Sequence, residues 1–287
     1  MQTFSDFALA YGVLVGDLYP SERIRRCATT AHKSSKNGAY FWDGQRGWVM
    51  AWDGDGEVHW YGGEFKPWTE EEKRAWAKKR AAELQRQRAR QHRAALQAEA
   101  LIRSCVPGQH GYLHRKGFPT LKGLIAEDDS LVIPMRDVSD NRVLGVQRIR
   151  WDESERAWVK KMAYGMRATG AVLRLGPPRA PETVLCEGYA TGLSLDAAVT
   201  QMRLNACVLV CFSDSNLRHV AGLVPGRKYA FADNDASGAG ERAVQAAGLA
   251  YCMSDVVGED ANDLHQRAGL LAVTVKLGAA RRAAMST

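Results

Sequence analysis

The chain has 287 residues, of which 46% are hydrophobic and 25% are charged. This composition excludes a disordered chain and an integral membrane protein, since no apolar run approaches the ~18–20 residues of a membrane span. The formal net charge of +7 favours a polyanionic partner such as a nucleic acid, without indicating a fold. The length allows two domains, and the absence of a basic, apolar leader leads us to expect a cytoplasmic protein.

Residues 1–66 are expected to form a small β-rich N-terminal domain that binds a template strand. Strand-like pieces at 39–42 and 47–52 are separated by the hairpin signal Asp43-Gly44. A basic loop is expected just before them, and aromatic residues interleave with it, as suits a single strand whose bases stack on rings. Alternatively, the tryptophans form the core of this domain. The candidate DNA-binding residues are Arg25, Arg26, Lys33 and Lys36.

Residues 67–103 are predicted to form a helical linker. Thr69 is the expected N-cap, with Glu72 closing a capping box. Large apolar residues are sparse along this segment, and a helix that is polar nearly all round usually bridges domains. Its arginines could contact nucleic acid, although a solvated linker face explains them as well.

Two further segments complete the predicted organisation. Residues 104–178 read as an α+β subdomain with hairpin turns at 139–141 and 152–155. Residues 179–287 alternate short apolar strands with helices, which implies a parallel sheet. Strands are expected near 182–186, 206–212 and 228–232, and helices near 190–199, 216–222 and 239–250.

Carboxylates follow two of these strands. Glu187 comes directly after the first strand, and Asp233 and Asp235 follow the third. Ligands of an open α/β sheet collect at the carboxyl ends of its strands, and Mg²⁺ typically takes one or two carboxylates plus substrate phosphates. An Asp-Asn-Asp run alone is often a surface turn. Asp214 is interpreted as part of a helix cap and is left out of the catalytic set.

Several motifs, in a consistent order from residue 107 to 270, resemble one family. Residues 184–192 (VLCEGYATG) together with 231–235 (FADND) resemble the Toprim domain shared by topoisomerases, primases, some nucleases and recombination proteins. The run EGYATGLSL at 187–195 is similar to phage and plasmid primases in particular. Residues 258–265 (GEDANDLH) resemble the acidic tail motif of those primases. Residues 112–117 (YLHRKG) resemble the Tyr-Leu-x-x-Arg-Gly start of their polymerase core, and 131–150 its hairpin.

The resemblance implies a DNA primase that makes short RNA primers on single-stranded DNA by nucleotidyl transfer, using Mg²⁺ or Mn²⁺. The expected fold is a Toprim-like parallel sheet, preceded by an α+β primase-core subdomain and the small β-rich domain, which a long helix joins. The catalytic residues would be Glu187, Asp233 and Asp235, joined as metal ligands by Asp260 and Asp263. Basic residues on the hairpins would bind the nucleotide, namely Arg136, Arg148, Lys160 and Lys161.

The expected partners are a single-stranded DNA template, ribonucleoside triphosphates and a separate replicative helicase, because no Walker motif is present. A phage-encoded protein would act in the host cytoplasm. None of the six cysteines forms a Cys-x-x-Cys pair, so we expect no zinc. Two alternatives remain open: a Toprim nuclease with the same acidic cluster, and a non-catalytic factor that binds single-stranded DNA.

Overall fold

The structure is a computed structural model that describes residues 3–62 and 69–286, except for the side chains of Glu22 and Glu72. Two compact units are present, Met1–Lys79 and Arg80–Thr287. The first residues of the predicted linker, 67 and 68, lie outside the described residues, as does the Glu72 side chain of the predicted capping box. No described helix is both long and apolar enough to cross a membrane.

The first unit is one antiparallel sheet of five strands in chain order, with a helix at its start. Phe4 and Ala8 of that helix are buried against Tyr40 and Val49 of the sheet. The helix begins with a capping box in which Thr3 and Asp6 bond reciprocally. Its elements are α1 (Phe4–Ala10), β1 (Val13–Leu14), β2 (Ser21–Thr29), β3 (Gly38–Trp42), β4 (Gly47–Ala51) and β5 (His59–Tyr61).

The expected basic loop is in part a strand. Arg25 and Arg26 lie on β2 and pair with residues of β3, and only the segment after Thr29 is a loop. The pairing was missed because the charged residues of β2 interrupt the alternation of apolar residues that marks a strand. The alternative that the tryptophans form a core holds only in part. Trp42 stacks on Phe4, whereas Trp52 is exposed.

The long helix α2 (Glu70–Ser104) covers nearly the same residues as the helix expected at 67–103, and its role as a linker stays a prediction. Most of its residues are exposed, which agrees with a surface that is polar nearly all round. Near its end, Ala98 is buried, and Leu101 and Ile102 pack in the same cluster as Val132 and Val146. The last turns of α2 therefore belong to the core of the second unit.

The second unit is built on one sheet of ten strands with the order β10-β9-β8-β11-β13-β12-β14-β15, and β6 and β7 pair beside β8. Its elements are β6 (Val106–Gly108), α3 (Gly111–Arg115), β7 (Gly123–Ile125), β8 (Leu131–Asp137), β9 (Val143–Asp152), β10 (Ala157–Met162), β11 (Ala171–Leu175), β12 (Glu182–Cys186), α4 (Tyr189–Gln201), β13 (Ala206–Val210), α5 (Asp214–Leu223), β14 (Arg227–Phe231), α6 (Ala239–Ala246), β15 (Ala250–Cys252), α7 (Ala261–Ala268) and α8 (Leu270–Ala283).

The strands β12 to β15 pair in parallel and form the middle layer of three, with helices on either side. Every residue of β12 and β13 is buried, as expected of strands that helices cover on both faces. Helices α4, α7 and α8 contribute to the core on one face, while α5 and α6 contribute to the core on the other. The predicted parallel sheet with helices is therefore confirmed, with shifts of a few residues at the element ends.

Strands β8, β9 and β10 form an antiparallel meander whose turns lie where the Asp-Asn and Asp-Glu-Ser signals predict them. One face of the meander packs Leu131, Ile133 and Ile149 against α3 and α4. The other face carries Val132 and Val146 against the end of α2. Successive side chains along these strands therefore point alternately toward α3 and α4 and toward the end of α2.

Candidate functional site

Three strands end at one edge of the parallel sheet, and each is followed by a carboxylate. Glu187 follows β12, Asp214 begins α5 after β13, and Asp233 lies two residues beyond β14. Because β12 lies between β13 and β14, the chain reverses its order of strands here. This is the switch point at which open α/β sheets bind their ligands.

Asp233 is a buried carboxylate whose charge is poorly compensated. Its Oδ1 atom is buried and has no hydrogen-bond partner among the described residues. Burial first, and then the negative charges of Asp260 and Asp214, raise the pKa of Asp233 to about 7, while Lys160 opposes the shift. A buried acceptor without a partner is costly, so this oxygen is suited to a ligand that carries positive charge or a donor.

Glu187 shares its surroundings with Asp214. Burial raises the pKa of Glu187, and a hydrogen bond with Asp214 and the charges of Asp214 and Asp233 raise it further. Phe212, between β13 and Asp214, has a φ of 65°, a left-handed conformation that is uncommon for a bulky residue and recurs at functional sites. Asp214 was assigned to a helix cap, yet the cap is the neighbouring Ser213. The signal that could have found Asp214 is its position at the end of a buried strand.

Asp235 has a different environment from Asp233. Its carboxylate accepts bonds from the Ser237 hydroxyl and from backbone N–H groups at the start of α6, among them that of Gly240 at 3.1 Å. These bonds lower the pKa of Asp235 to about 2. A Cβ at Gly240 would lie 2.6 Å from the Asp233 carbonyl oxygen, so only glycine allows this approach. Asp235 is therefore a charged carboxylate that fixes the loop on which Asp233 lies.

The acidic tail motif folds back toward Asp233. The Asn234 N–H donates to the Glu259 carbonyl at 3.2 Å, and the Gly258 N–H donates to the Asn234 carbonyl. Asp260 is the N-cap of α7 and forms a capping box with Asp263. Both predicted tail carboxylates thus have structural partners, while the charge of Asp260 still acts on Asp233.

Two lysines lie beside these carboxylates. Lys116 donates to Asp263 at 3.4 Å, and the backbone carbonyl of Lys116 accepts a bond from the buried Asn262 at 2.8 Å. Lys160 has its ammonium 5.6 Å from the centroid of the Tyr112 ring. Partial desolvation and the charge of Lys116 lower the pKa of Lys160, and Asp260 raises it. Lys116 was not predicted, although it occupies the arginine position of the Tyr-Leu-x-x-Arg-Gly pattern.

The other basic residues predicted for the nucleotide lie elsewhere. Lys161 pairs with Arg148 across β9 and β10, on the face of the meander opposite to Lys160. Arg148 forms an ion pair with Asp128. Arg136 donates to the backbone carbonyl of Asn141 at 3.1 Å and so closes the β8–β9 turn. The structure therefore brings Lys160, among the four predicted residues, to the carboxylates.

Residues 182–270 match the family model described as the Toprim domain. The chain contains a Toprim domain. Toprim domains occur in primases, nucleases, topoisomerases and other proteins, and they bind Mg²⁺ through acidic residues. This match supports metal-dependent action on nucleic acid. No curated protein and no solved structure matches the chain.

The Toprim carboxylates supply the kind of ligands that a divalent cation prefers. In the part of the chain that the structure describes, no three His, Cys, Asp or Glu side chains form a ready chelating cluster. The buried Oδ1 of Asp233, which has no partner among the described residues, and the neighbouring Glu187 nevertheless supply oxygen ligands, and their raised pKa values show that a cation would compensate the negative charge of both. Because Mg²⁺ is usually held by one or two carboxylates plus phosphate oxygens, these residues fit the ion.

The N-terminal unit carries its own basic surface. The Arg25 guanidinium lies 3.7 Å from the centroid of the Tyr19 ring, and Arg26 lies 3.8 Å from that of Trp52. Arg26 also donates two bonds to the Lys36 carbonyl, at 3.1 and 2.7 Å. Lys33 is exposed on the same loop. The four predicted DNA-binding residues therefore lie on or beside one strand and one loop, next to aromatic rings.

Proposed function

We propose that this protein is a DNA primase that joins ribonucleotides on a single-stranded DNA template. The observation that carries the proposal is the position of two lysines: the charge of Lys160 acts on Asp233 and Asp260, and Lys116 donates to Asp263 at 3.4 Å. Nucleotidyl transfer needs anionic groups for a cation and cationic groups for a triphosphate at one place. A nuclease needs the anionic groups that hold a cation but no cationic groups for a triphosphate.

In the proposed reaction, a 3′-hydroxyl oxygen attacks the α-phosphate of a nucleoside triphosphate. A bond forms between that oxygen and phosphorus, the bond to the β-phosphate breaks, and pyrophosphate leaves. A divalent cation supplies activation of the attacking oxygen and stabilisation of the leaving one when it is bound. Asp233 and Glu187 would hold it, with Asp260 adding negative charge nearby.

The side chains of this chain divide the remaining work. Lys160 and Lys116 attract and orient the phosphates by charge. Burial and Asp214 raise the pKa of Glu187 to about 8, which makes its carboxylate a stronger base than an ordinary one and suits it to accept the proton of the attacking hydroxyl. Asp235 fixes the loop that presents Asp233. Arg25, Arg26, Lys33 and Lys36 bind the template, with phosphates neutralised by charge and bases stacked on rings.

Incubation of the protein with single-stranded DNA and labelled ribonucleotides in Mg²⁺ or Mn²⁺ tests the proposal. We expect short labelled RNA on a denaturing gel, and its loss in Asp233→Asn and Glu187→Gln. Both substitutions remove charge from a polar edge and preserve side-chain volume. Shortening of an end-labelled DNA without any labelled RNA would instead support the nuclease.

A further inference from the structure

A cleft of about 580 Å³ lies beside the β9–β10 turn, and Glu187, Asp214 and Asp233 are not among its lining residues. Two of its lining residues, Trp151 and Trp158, are register partners on β9 and β10, with ring centroids 5.4 Å apart and an edge-to-face arrangement. Trp151 remains 41% exposed. The cleft therefore offers aromatic ring surface to a planar ligand.

The walls of this cleft are held in place. The Trp158 ring contacts Tyr112 at a centroid distance of 5.8 Å, and a Cβ at Gly111 would lie 3.2 Å from Trp158 Cζ2. His110 lies 5.1 Å from Trp158, and its Nδ1 accepts from the Tyr112 N–H while its Nε2 donates to the Asp129 carbonyl. Both ring nitrogens of His110 are thus occupied, so the imidazole is a fixed wall.

The rim of the cleft is acidic. Asp128, Asp129 and Glu153 line it together with a single guanidinium, that of Arg150. Asp128 is paired with Arg148, while Asp129 and Glu153 are exposed. Carboxylates accept bonds from amino and hydroxyl groups and repel phosphates. The chemistry of the cleft therefore suits a base or a sugar and disfavours a phosphate group.

A phosphate-binding group lies next to the cleft. Trp158 and Lys160 are two residues apart on β10, so they share a face and are separated by about 7 Å along the strand. Both also contact the Tyr112 ring. A nucleotide with its base in the cleft would thus place its phosphates near Lys160, on which the charges of Asp260 and Asp233 act.

We propose that the cleft between Trp151, Trp158 and His110 binds one unstacked nucleobase. The base belongs to a nucleoside triphosphate or to the DNA strand, since both present the same planar ring. The inference deepens the primase proposal by placing a base relative to Lys160. The proposed cleft binds a base whether or not the protein catalyses nucleotide incorporation.

Equilibrium binding to the full-length protein tests this inference. The probes are ATP with Mg²⁺, a DNA oligonucleotide without nucleotide, and two base-free controls: inorganic tripolyphosphate and an abasic oligonucleotide of the same length. Stacking of one base is worth about 1–3 kcal/mol by alanine substitution, so we expect Trp151→Ala to weaken binding of a base-containing probe about tenfold. Trp151→Phe should restore most of it.

Trp76→Ala is the matched control, because Trp76 is 46% exposed on α2. It should leave all four affinities unchanged. A loss confined to ATP assigns the cleft to the nucleotide, and a loss confined to the oligonucleotide assigns it to the strand. The inference is overturned if Trp151→Ala changes neither, or weakens the base-free probes equally. A protein that binds bases through Trp151 but makes no primers would uphold the cleft and refute the primase.

Discussion

Replacement of Asp233 by asparagine should stabilise the metal-free protein and remove its response to Mg²⁺. The carboxylate is largely buried, its Oδ1 has no partner among the described residues, and the ordinary pKa of 3.8 is raised to about 7. At about 1.36 kcal/mol for each tenfold change in acidity, ionised Asp233 costs at most about 4 kcal/mol of stability. Partial exposure reduces this, so we expect a gain of about 2–3 kcal/mol at pH 8.

The effect depends on pH with a definite sign. Since the folded state holds the Asp233 proton more tightly than the unfolded state, the wild type loses stability as pH rises from about 4 to about 7. Asp233→Asn lacks this titration. The stability difference between the two proteins should therefore be near zero at pH 4 and reach its full value by pH 8, measured by urea denaturation in a chelator.

Addition of Mg²⁺ completes the test. At about 100 times its dissociation constant, a cation that binds only the folded wild type stabilises it by about 2.7 kcal/mol, whereas Asp233→Asn should gain little. Asp196→Asn is the matched control, since burial on α4 also raises the pKa of Asp196 but no other carboxylate acts on it. This variant should keep the full Mg²⁺ response. An equal Mg²⁺ response from Asp233→Asn, or a loss of stability at pH 8, would refute the reasoning.

Three further predictions concern charged residues. Lys160→Ala should lower nucleotide incorporation at least tenfold by raising KM, and Lys161→Ala on the opposite face should leave KM within about twofold; equal effects in steady-state kinetics would contradict the assignment. Glu182→Gln should cost about 1–2 kcal/mol at pH 7, because bonds from Arg281 and a second arginine lower the pKa of Glu182. That contribution is present above about pH 4.5 and fades as pH falls, so a pH-independent difference in urea denaturation would count against it. Arg26→Ala should weaken binding of single-stranded DNA and reduce the salt dependence by about 0.7 of a counterion; an unchanged slope would show that Arg26 contacts no phosphate.

The sequence predicts most of the Toprim sheet because its strands are short, wholly apolar and separated by helices. A short apolar run of this kind predicts a buried strand without any further signal, as in ETVLC of β12 and ACVLV of β13. Strand β2 behaves differently, because backbone pairing with β3 extends a charged segment that carries no apolar alternation. The edge that bears Glu187 and Asp233 follows from the strand order.

Other features of the site depend on contacts between residues far apart in the chain. Lys116 reaches Asp263 because the buried Asn262 bonds to the Lys116 carbonyl, 146 positions away. Because side chains alternate along a strand, Lys160 and Lys161 lie on opposite faces of the meander. The presence of two adjacent lysines in the sequence does not show which of them faces the carboxylates. The bonds of Asp235 to the start of α6 also make it a structural anion, so loss of Asp235 should destabilise the protein, contrary to what a solvent-exposed metal ligand would do.

The central claim is that the carboxylates and Lys160 together serve nucleotidyl transfer. One reaction tests it most directly: single-stranded DNA with a 5′ label, ribonucleoside triphosphates and Mn²⁺ or Mg²⁺, with pyrophosphate release and DNA length followed in parallel. We predict pyrophosphate formed in step with nucleotides incorporated, DNA of unchanged length, and no product from Asp233→Asn. Shortened DNA, or template binding without any pyrophosphate in either metal, would contradict the account.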